Sequence, residues 1–419
     1  MSHDSLARSA SQYGRRHRQP LYLLMSLGVT ACATLTPHMN AQLPLGVDTS
    51  AVSVLPTSTA GDLSSPTATR ADDGWVVAAN LLPGGLDARF ARRAFYLVHS
   101  LKGPLPMPDG DFLFMQPVVQ FSGDGTLHLF WAEGSGRESA EGWPLTKTAL
   151  WHASYVRDQW TSPERLLLGK WLYWEPRSSQ VVTDDRGQLH LMVTAADTGM
   201  HGEHTYHLTQ RASGWEKRDT GLHAHQIALT TLPGGRFVMA YVDGEPAGGA
   251  SNQLYTVSSA DEGTSWSPAV RVLALTDKAE VNWPQLRSVG DTMYLSWFGD
   301  AGSTETIWSL SQSTYSRGNL AASWSPPLRA ALPGIVLSVT TAATGCGTVL
   351  AFAEMITPER RLMVHRLTVR DSRVTVEPSF TALAPLMERS RDRIIALWNA
   401  PNIPRRLLEP RFREFGTCP

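Results

Sequence analysis

The run Ser259-Ala-Asp-Glu-Gly-Thr-Ser-Trp266 indicates the fold of this chain, because four of its residues suit one kind of tight turn. In such a turn, the Asp261 carboxylate accepts hydrogen bonds from backbone N–H groups and Gly263 takes a positive φ. Trp266 then folds back as an apolar plug. A plain polar hairpin turn is the alternative interpretation, so the run needs support from the sequence around it.

The pattern around this turn recurs along the chain. A turn residue is followed six positions later by a bulky apolar residue in five places, with a weaker start at Gly74. Counted from Gly74, the intervals between the turn residues are 51, 62, 48, 56 and 55 residues, near the roughly 40–55 residues of a propeller blade. The five pairs are Gly125 with Trp131, Gly187 with Val193, Gly235 with Tyr241, Asp291 with Trp297, and Cys346 with Phe352.

Each repeat reads as four short strands, and such a sheet buries both of its faces only when neighbours stack against it. A second turn follows each of four anchors and carries Trp160, Trp215, Trp266 or Trp324. The sequence therefore predicts an all-β fold, a six-bladed β-propeller of four-stranded antiparallel blades spanning residues 65–419. The C-terminal segment 385–417 is expected to supply a closing strand.

The run around Asp261 resembles the Asp box, or BNR repeat, of the sialidase-like β-propellers, and three further turns resemble degenerate copies. The resemblance implies a ligand site over the central funnel, at the end opposite the Asp-box turns. Catalytic sialidases of this kind use three arginines, a Tyr nucleophile activated by Glu, and an Asp acid/base. Their early Phe/Tyr-Arg-Ile/Leu-Pro signature has no match here, since Phe95-Tyr-Leu-Val lacks the arginine. The chain is thus similar to the superfamily without a clear match to its catalytic members.

Bulk composition favours an exported single domain. The formal net charge of −1 and the lack of a basic patch among the repeats argue against a nucleic-acid partner. Basic residues precede the short apolar run 21–30, and this order is typical of a secretory signal. The sequence therefore predicts a signal segment over residues 1–41. Cleavage before Cys32, in the lipobox-like Val-Thr-Ala-Cys, and cleavage after Ala41 both stay open. The protein is then periplasmic, an outer-membrane lipoprotein or secreted, and a lipid on Cys32 is its only expected membrane contact.

Two further features concern the mature chain. Residues 42–64, rich in Ser, Thr, Pro and Ala, are predicted to be a flexible linker. Cys346 and Cys418 are the cysteines left after Cys32, and in an oxidising compartment they are expected to form a disulfide, with two unpaired thiols as the alternative.

The loops between second and third strands and the blade connections meet at one end of a propeller, where polar and aromatic residues suit a sugar. Flat aromatic faces stack on sugar rings, while arginine and amide groups bind hydroxyls or carboxylates. Packing between blades is the alternative role for each tryptophan. The predicted ligand-binding residues are Arg137, Trp174, Arg177, His223, His225, Trp283, Gln285 and Arg360.

Catalysis, where it occurs, is expected from Glu175 beside Tyr173, with Asp300, Glu203 or Glu305 on the opposite side. His223 and His225 alternate along one strand face and can act as acid or base near neutral pH. The segment 201–204 contains two histidines and a glutamate but lacks metal-site spacing, so neither a metal nor a cofactor is predicted.

The sequence as a whole predicts an exported protein that binds or hydrolyses a glycan or glycoconjugate at the funnel. As an enzyme it would be a glycoside hydrolase, similar to an exo-sialidase. The alternatives are a noncatalytic propeller that binds glycan or protein and an assembly factor at the cell envelope.

Overall fold

The protein is all-β in the computed structural model over the residues that the structure describes. These are residues 53–54, 62–82, 94–109, 114–135, 146–174, 180–196, 203–243, 253–272, 281–300, 305–314, 324–357, 362–377, 383–390, 393–402 and 407–416. Within these ranges every regular element is a strand. No helix in them is long and apolar enough to cross a membrane.

The six sequence repeats form six antiparallel sheets, each a meander whose strands pair in chain order. Blade 1 contains β2 (Asp62–Ala71), β3 (Gly74–Leu82), β4 (Ala94–His99) and β5 (Gly103–Pro104). Blade 2 contains β6 (Phe114–Phe121), β7 (Leu127–Ser135), β8 (Thr146–Val156), β9 (Gln159–Trp160) and β10 (Glu164–Leu168). Blade 3 contains β11 (Trp171–Tyr173), β12 (Val181–Thr183), β13 (Leu189–Ala196), β14 (Glu203–Arg211) and β15 (Gly214–Asp219).

Blades 4 to 6 repeat the four-stranded pattern without an extra short strand. Blade 4 contains β16 (Ala224–Leu232), β17 (Arg236–Asp243), β18 (Leu254–Ser259) and β19 (Val270–Arg271). Blade 5 contains β20 (Val281–Val289), β21 (Thr292–Asp300), β22 (Glu305–Thr314) and β23 (Leu328–Pro333). Blade 6 contains β24 (Ile335–Ala343), β25 (Val349–Ile356), β26 (Leu362–Arg370) and β27 (Arg373–Val376). The prediction of an all-β propeller with six four-stranded antiparallel blades is confirmed for these repeats.

The C-terminal segment forms a sheet of its own and not a single closing strand. Its strands are β28 (Leu383–Ser390), β29 (Arg393–Asn402) and β30 (Leu407–Gly416), and β1 (Ser53–Val54) pairs with β30 as the fourth. The inner strand β28 contacts both β2 and β24. This additional sheet therefore stands between blades 6 and 1 and closes the ring, and β1 adds an N-terminal strand to it.

Parts of the range 42–64, predicted to be a linker, are also strands. Ser53–Val54 pairs with Phe412 and Arg411 of β30, and blade 1 begins at Asp62. The short pairing was not readable from composition because its partner lies at the other end of the chain. The predicted signal segment and Cys32 lie outside the described residues.

Apolar side chains fill the spaces between neighbouring blades. One cluster joins blades 2 and 3 through Phe130 and Leu191, and another joins blades 5 and 6 through Trp308 and Ala351. Similar clusters lie between blades 1 and 2, 3 and 4, and 4 and 5, and between blade 1 and the C-terminal sheet. Trp131 and Trp297 are buried in these interfaces, as the sequence predicts.

The tryptophans of the second turns reach back to the preceding blade. The Trp160 Nε1 donates to the carbonyl oxygen of Pro106 at 2.8 Å, and the Trp324 Nε1 donates to the hydroxyl of Thr256 at 3.3 Å. The ring of Trp215 lies edge-on to His152, and the ring of Trp266 lies edge-on to His207. These four residues thus stabilise contacts between blades as well as their own turns.

The turn around Asp261 has the hydrogen bonds expected of it. The Asp261 Oδ1 accepts from the Ser265 backbone N–H at 2.9 Å and from the Ser259 hydroxyl at 2.8 Å. Gly263 has a φ of 76°, and a Cβ there would lie 2.2 Å from the ring of His207 in blade 3. Both conditions require glycine, so this turn is fitted to the neighbouring blade. Its assignment as a BNR repeat stays a prediction.

The inner strands are linked by side-chain hydrogen bonds around a central cavity of about 220 Å³. The Thr67 hydroxyl donates to the Pro117 carbonyl oxygen at 3.0 Å, and the Thr183 hydroxyl donates to the Phe121 carbonyl oxygen at 2.7 Å. Ser288 donates to the Thr231 carbonyl oxygen at 2.8 Å. These lining hydroxyls connect adjacent blades, which gives the cavity wall a structural role.

Cys346 lies in the turn between β24 and β25. Cys418 lies outside the described residues. The pairing of Cys346 with Cys418 therefore stays a prediction.

Replacing Asp261 with alanine is expected to lower the free energy of unfolding by about 1–2 kcal/mol, because the turn loses the acceptor for its backbone and hydroxyl donors. Burial raises the pKa of Asp261, but hydrogen bonds from Ser265 and Ser259 outweigh burial and lower it to about 2. The matched Asp261→Asn variant keeps one acceptor oxygen and should lose less stability. Urea denaturation at neutral pH measures the difference, and equal stabilities for both variants and the unmodified protein would contradict this role.

A second prediction concerns the buried histidine pairs of blades 2 and 3. His128 Nδ1 lies 2.9 Å from His152 Nε2, and His190 Nδ1 lies 3.1 Å from His207 Nε2. Burial, followed by the charge of the paired histidine, lowers the pKa of His128 from 6.5 to about 3 and that of His207 from 6.5 to about 4. The unfolded chain then binds more protons below pH 6.5, so acid destabilises the fold.

The expected loss between neutral pH and pH 4 is on the order of a few kcal/mol, since each pKa unit corresponds to about 1.4 kcal/mol. Urea midpoints measured across this range should fall less steeply for a protein carrying both His128→Gln and His207→Gln. The carboxylates are the same in both proteins, so the difference between the two curves isolates the histidines. Parallel curves would show that the two rings do not control acid stability.

Candidate functional site

One end of the propeller carries recurrent backbone irregularities at the start of the inner strands. The register of β6 shifts after Met115, that of β16 after His225 and that of β20 after Asn282, each as a β-bulge. Three residues other than glycine have a positive φ within these bulges: 51° at Gln116, 46° at Gln226 and 48° at Trp283. Backbone strain at equivalent positions of several blades marks this end, which we call the mouth, as a candidate functional site.

The inner strand of blade 3 has two described parts. The strand β11 pairs with β13 up to Tyr173 opposite Thr194, and β12 begins at Val181 opposite Leu191. The buried Gln180 connects the two parts, because its Nε2 donates to the carbonyl oxygens of Met192 at 3.1 Å and Tyr173 at 3.3 Å.

An acid–base and aromatic cluster lies at the mouth between blades 3 and 4. The Tyr173 ring is 4.1 Å from the ring of His225, centroid to centroid, and 4.4 Å from that of Trp171. His225 Nε2 is hydrogen-bonded to the Glu203 carboxylate. The side chain of His225 is 19% exposed and that of Glu203 is 10% exposed. We call Trp171, Tyr173, Glu203 and His225 the mouth cluster.

The strand pairing explains why these four residues meet. Trp171 and Glu203 both pair with Ala196 of β13, so their side chains lie on the same face of blade 3. That face packs against blade 4, where His225 precedes the bulge of β16. A nearly buried carboxylate bonded to an imidazole can hold the ring in one orientation.

A polar group from blades 4 and 5 continues the mouth beyond His225. The Gln226 Oε1 accepts a hydrogen bond from the backbone N–H of Trp283, and its Nε2 lies 3.5 Å from the Asn282 Oδ1. The Trp283 ring is packed edge-on against Phe298 with centroids 5.4 Å apart, and it is only partly buried. The strained residues of blades 4 and 5 are thus connected to each other across the blade interface.

The structure places three of the predicted site residues together at the mouth and buries two others between blades. Tyr173, His223 and His225 lie close to Glu203 there. Trp174 is fully buried in the core between blades 2 and 3, and its Nε1 donates to the Gln116 carbonyl oxygen at 2.8 Å. Gln285 is buried, with its Oε1 accepting from Thr341 N at 2.7 Å. Both side chains therefore pack between blades in this structure, and the ligand-binding roles of Trp174 and Gln285 stay predictions.

The remaining predicted residues cannot be compared with this geometry. Asp300 ends β21 opposite Thr306, and its side chain is not among those described. Glu175, Arg137, Arg177 and Arg360 lie outside the described residues.

Two features of the site were not singled out by sequence reasoning. The sequence predicts Glu203 only as a second carboxylate, whereas its carboxylate is the hydrogen-bond partner of His225. Asn282 is not among the predicted residues, although it lies beside Gln226. Only their positions in the topology point to these two residues. Glu203 begins the third long strand of blade 3, and Asn282 precedes a bulge at the mouth.

Comparison with known proteins supports the fold at low sequence identity. No protein-family model matches the chain, and no curated protein sequence matches it. A Dyadobacter fermentans protein of unknown function is 11% identical with a TM-score of 0.50, and the match covers 90% of this chain and 99% of that one. An ulvan lyase, a polysaccharide lyase, is 11% identical with a TM-score of 0.51 over 87% of this chain and 96% of that one.

A third solved structure is an α-L-arabinanase of Penicillium chrysogenum complexed with arabinobiose. It is 13% identical with a TM-score of 0.45, over 74% of this chain and 96% of that one. At these identities the likeness shows the fold of this chain.

Proposed function

We propose that this chain binds a glycan at the mouth and processes it by acid–base chemistry centred on His225. The contact that carries the proposal is the His225 imidazole, held between the Glu203 carboxylate and the Tyr173 ring. Trp171 extends the aromatic surface beside them. The ulvan lyase, which acts on a polysaccharide, supports a glycan as the ligand class because it has a similar fold.

His225 is the proposed proton-transfer group, and Glu203 orients it. Glycoside hydrolysis by two carboxylates needs a pair placed on either side of the scissile bond. The Glu203 carboxylate is instead bonded to an imidazole, which favours proton transfer through histidine. Tyr173 and Trp171 would stack against the sugar and limit the access of water.

Glu175 and Asp300 stay candidates for the carboxyl groups of a hydrolase, including one similar to an exo-sialidase. Product analysis separates the two reaction classes. Hydrolysis gives a new reducing end without a double bond, whereas elimination from a uronic acid leaves an unsaturated sugar that absorbs in the ultraviolet. The panel of glycans should therefore contain sialosides, arabino-oligosaccharides and uronic-acid polymers.

A noncatalytic glycan-binding propeller is the second candidate. The observation in its favour is that the one carboxylate of the mouth cluster is already bonded to His225. Binding without product release from any member of the panel would support this function.

We also propose that the protein is exported, on the basis of the basic and apolar order of residues 1–41. Envelope attachment through Cys32 and release after Ala41 are the two alternatives. Mass spectrometry of the mature N-terminus distinguishes them.

Replacing His225 with glutamine is expected to lower turnover of the responding glycan by roughly 10²- to 10⁴-fold, because the proton-transfer group is lost while the cluster keeps a polar side chain. His204→Gln is the matched control. His204 lies at the same edge but pairs with the exposed Asp219 at 2.8 Å. A His225→Gln protein that retains full turnover would remove His225 from the mechanism.

A further inference from the structure

Glu203 contacts two histidines through two different groups. Its backbone carbonyl oxygen accepts a hydrogen bond from His223 Nδ1 at 2.6 Å. Its carboxylate Oε2 accepts one from His225 Nε2. Both oxygens can only accept, so the neutral His223 ring carries its proton on Nδ1 and the neutral His225 ring carries its proton on Nε2.

The opposite nitrogen of each ring then has a lone pair. These are Nε2 of His223 and Nδ1 of His225, on either side of Ala224, the first residue of β16. Within the described parts of the chain, neither nitrogen has a hydrogen-bond partner. His223 is exposed and His225 is partly buried, so ligand atoms can approach both rings.

The buried histidines of blades 2 and 3 provide an internal comparison. His190 has His207 at Nδ1 and Asp184 at Nε2, and His128 has His152 at Nδ1 and Ser122 at Nε2. These two packed histidines of blades 2 and 3 thus have both ring nitrogens occupied. The pair at Glu203 differs, because one nitrogen is fixed and the other is available.

We propose that Glu203 is a positioning residue that fixes both tautomers, and that His223 Nε2 and His225 Nδ1 form a two-acceptor site for neighbouring hydroxyl groups of a saccharide. The saccharide part rests on the proposed function, whereas the tautomer part stands without it. The aromatic rings of Trp171 and Tyr173 lie beside His225 and would offer a stacking surface to the sugar ring. His223 would then bind the adjoining part of the same ligand.

Nitrogen-15 NMR of the imidazole rings in the full chain tests the positioning role. We expect the Nδ1–H form at His223 and the Nε2–H form at His225. In Glu203→Ala, His225 should become a mixture of tautomers, while His223 keeps its form because its partner is a backbone carbonyl. The unchanged His223 signal also reports that the local fold persists.

Glu203→Gln is the matched control, since its amide oxygen still accepts from His225 Nε2 and should retain the tautomer. It also keeps the test open if Glu203→Ala does not fold. A mixture of tautomers at either ring in the unmodified protein would overturn the proposal. So would an unchanged His225 signal in a folded Glu203→Ala protein.

The ligand role is tested with arabinobiose, which is neutral, and an ulvan disaccharide, which is anionic. Binding of either sugar should shift the His223 and His225 signals together. His223→Ala should weaken that binding by about 3- to 10-fold, as for one lost hydrogen bond, and His223→Gln should restore part of it. No shift with either sugar, or a shift that leaves His223 unaffected, would overturn the two-acceptor site.

These outcomes are separable from failure of the proposed function. Loss of turnover in His225→Gln with no effect of His223→Ala on binding would retain His225 as the reactive group and reject the two-acceptor site. Correct tautomers and sugar-induced shifts without turnover would retain the two-acceptor site and favour the noncatalytic candidate.

Discussion

Burial of both faces of every blade by its neighbours is the constraint on which the structure depends. In β13 and β25 all eight residues are buried, including positions that would face solvent in an isolated antiparallel sheet. Such strands are stable only in a closed ring. The sheet formed by β1 and β28–β30 therefore completes the fold, because it covers the outer faces of blades 1 and 6.

This constraint also determines where chemistry can occur. Polar groups inside the ring are used for structure: the hydroxyls around the cavity join adjacent strands, and the buried histidines form pairs. The residues of the proposed site instead lie where the packed faces end. At the mouth, the inner strand β16 bulges after His225, and Tyr173 and the buried Glu203 meet a His225 side chain that is 19% exposed.

The sequence predicts the fold well because the blade period and turn chemistry are local. Gly125, Gly187 and Gly235 all have a positive φ, as their turns require. The site is less predictable. Topology predicts Tyr173 and His225 at the blade connections, where their rings lie 4.1 Å apart, but the burial of Trp174 depends on a core shared by two blades. The pairing of β1 with β30 likewise joins distant parts of the chain and leaves no local pattern.

The junction of blades 3 and 4 is suited to the site because buried groups hold the residues next to Tyr173. Trp174 lies in the core shared by blades 2 and 3, and its Nε1 donates to the carbonyl oxygen of Gln116, a strained residue of blade 2. The buried Gln180 donates to the carbonyl oxygen of Tyr173 itself. These contacts keep Tyr173 against His225 before any ligand arrives, so binding has to order little of the cluster.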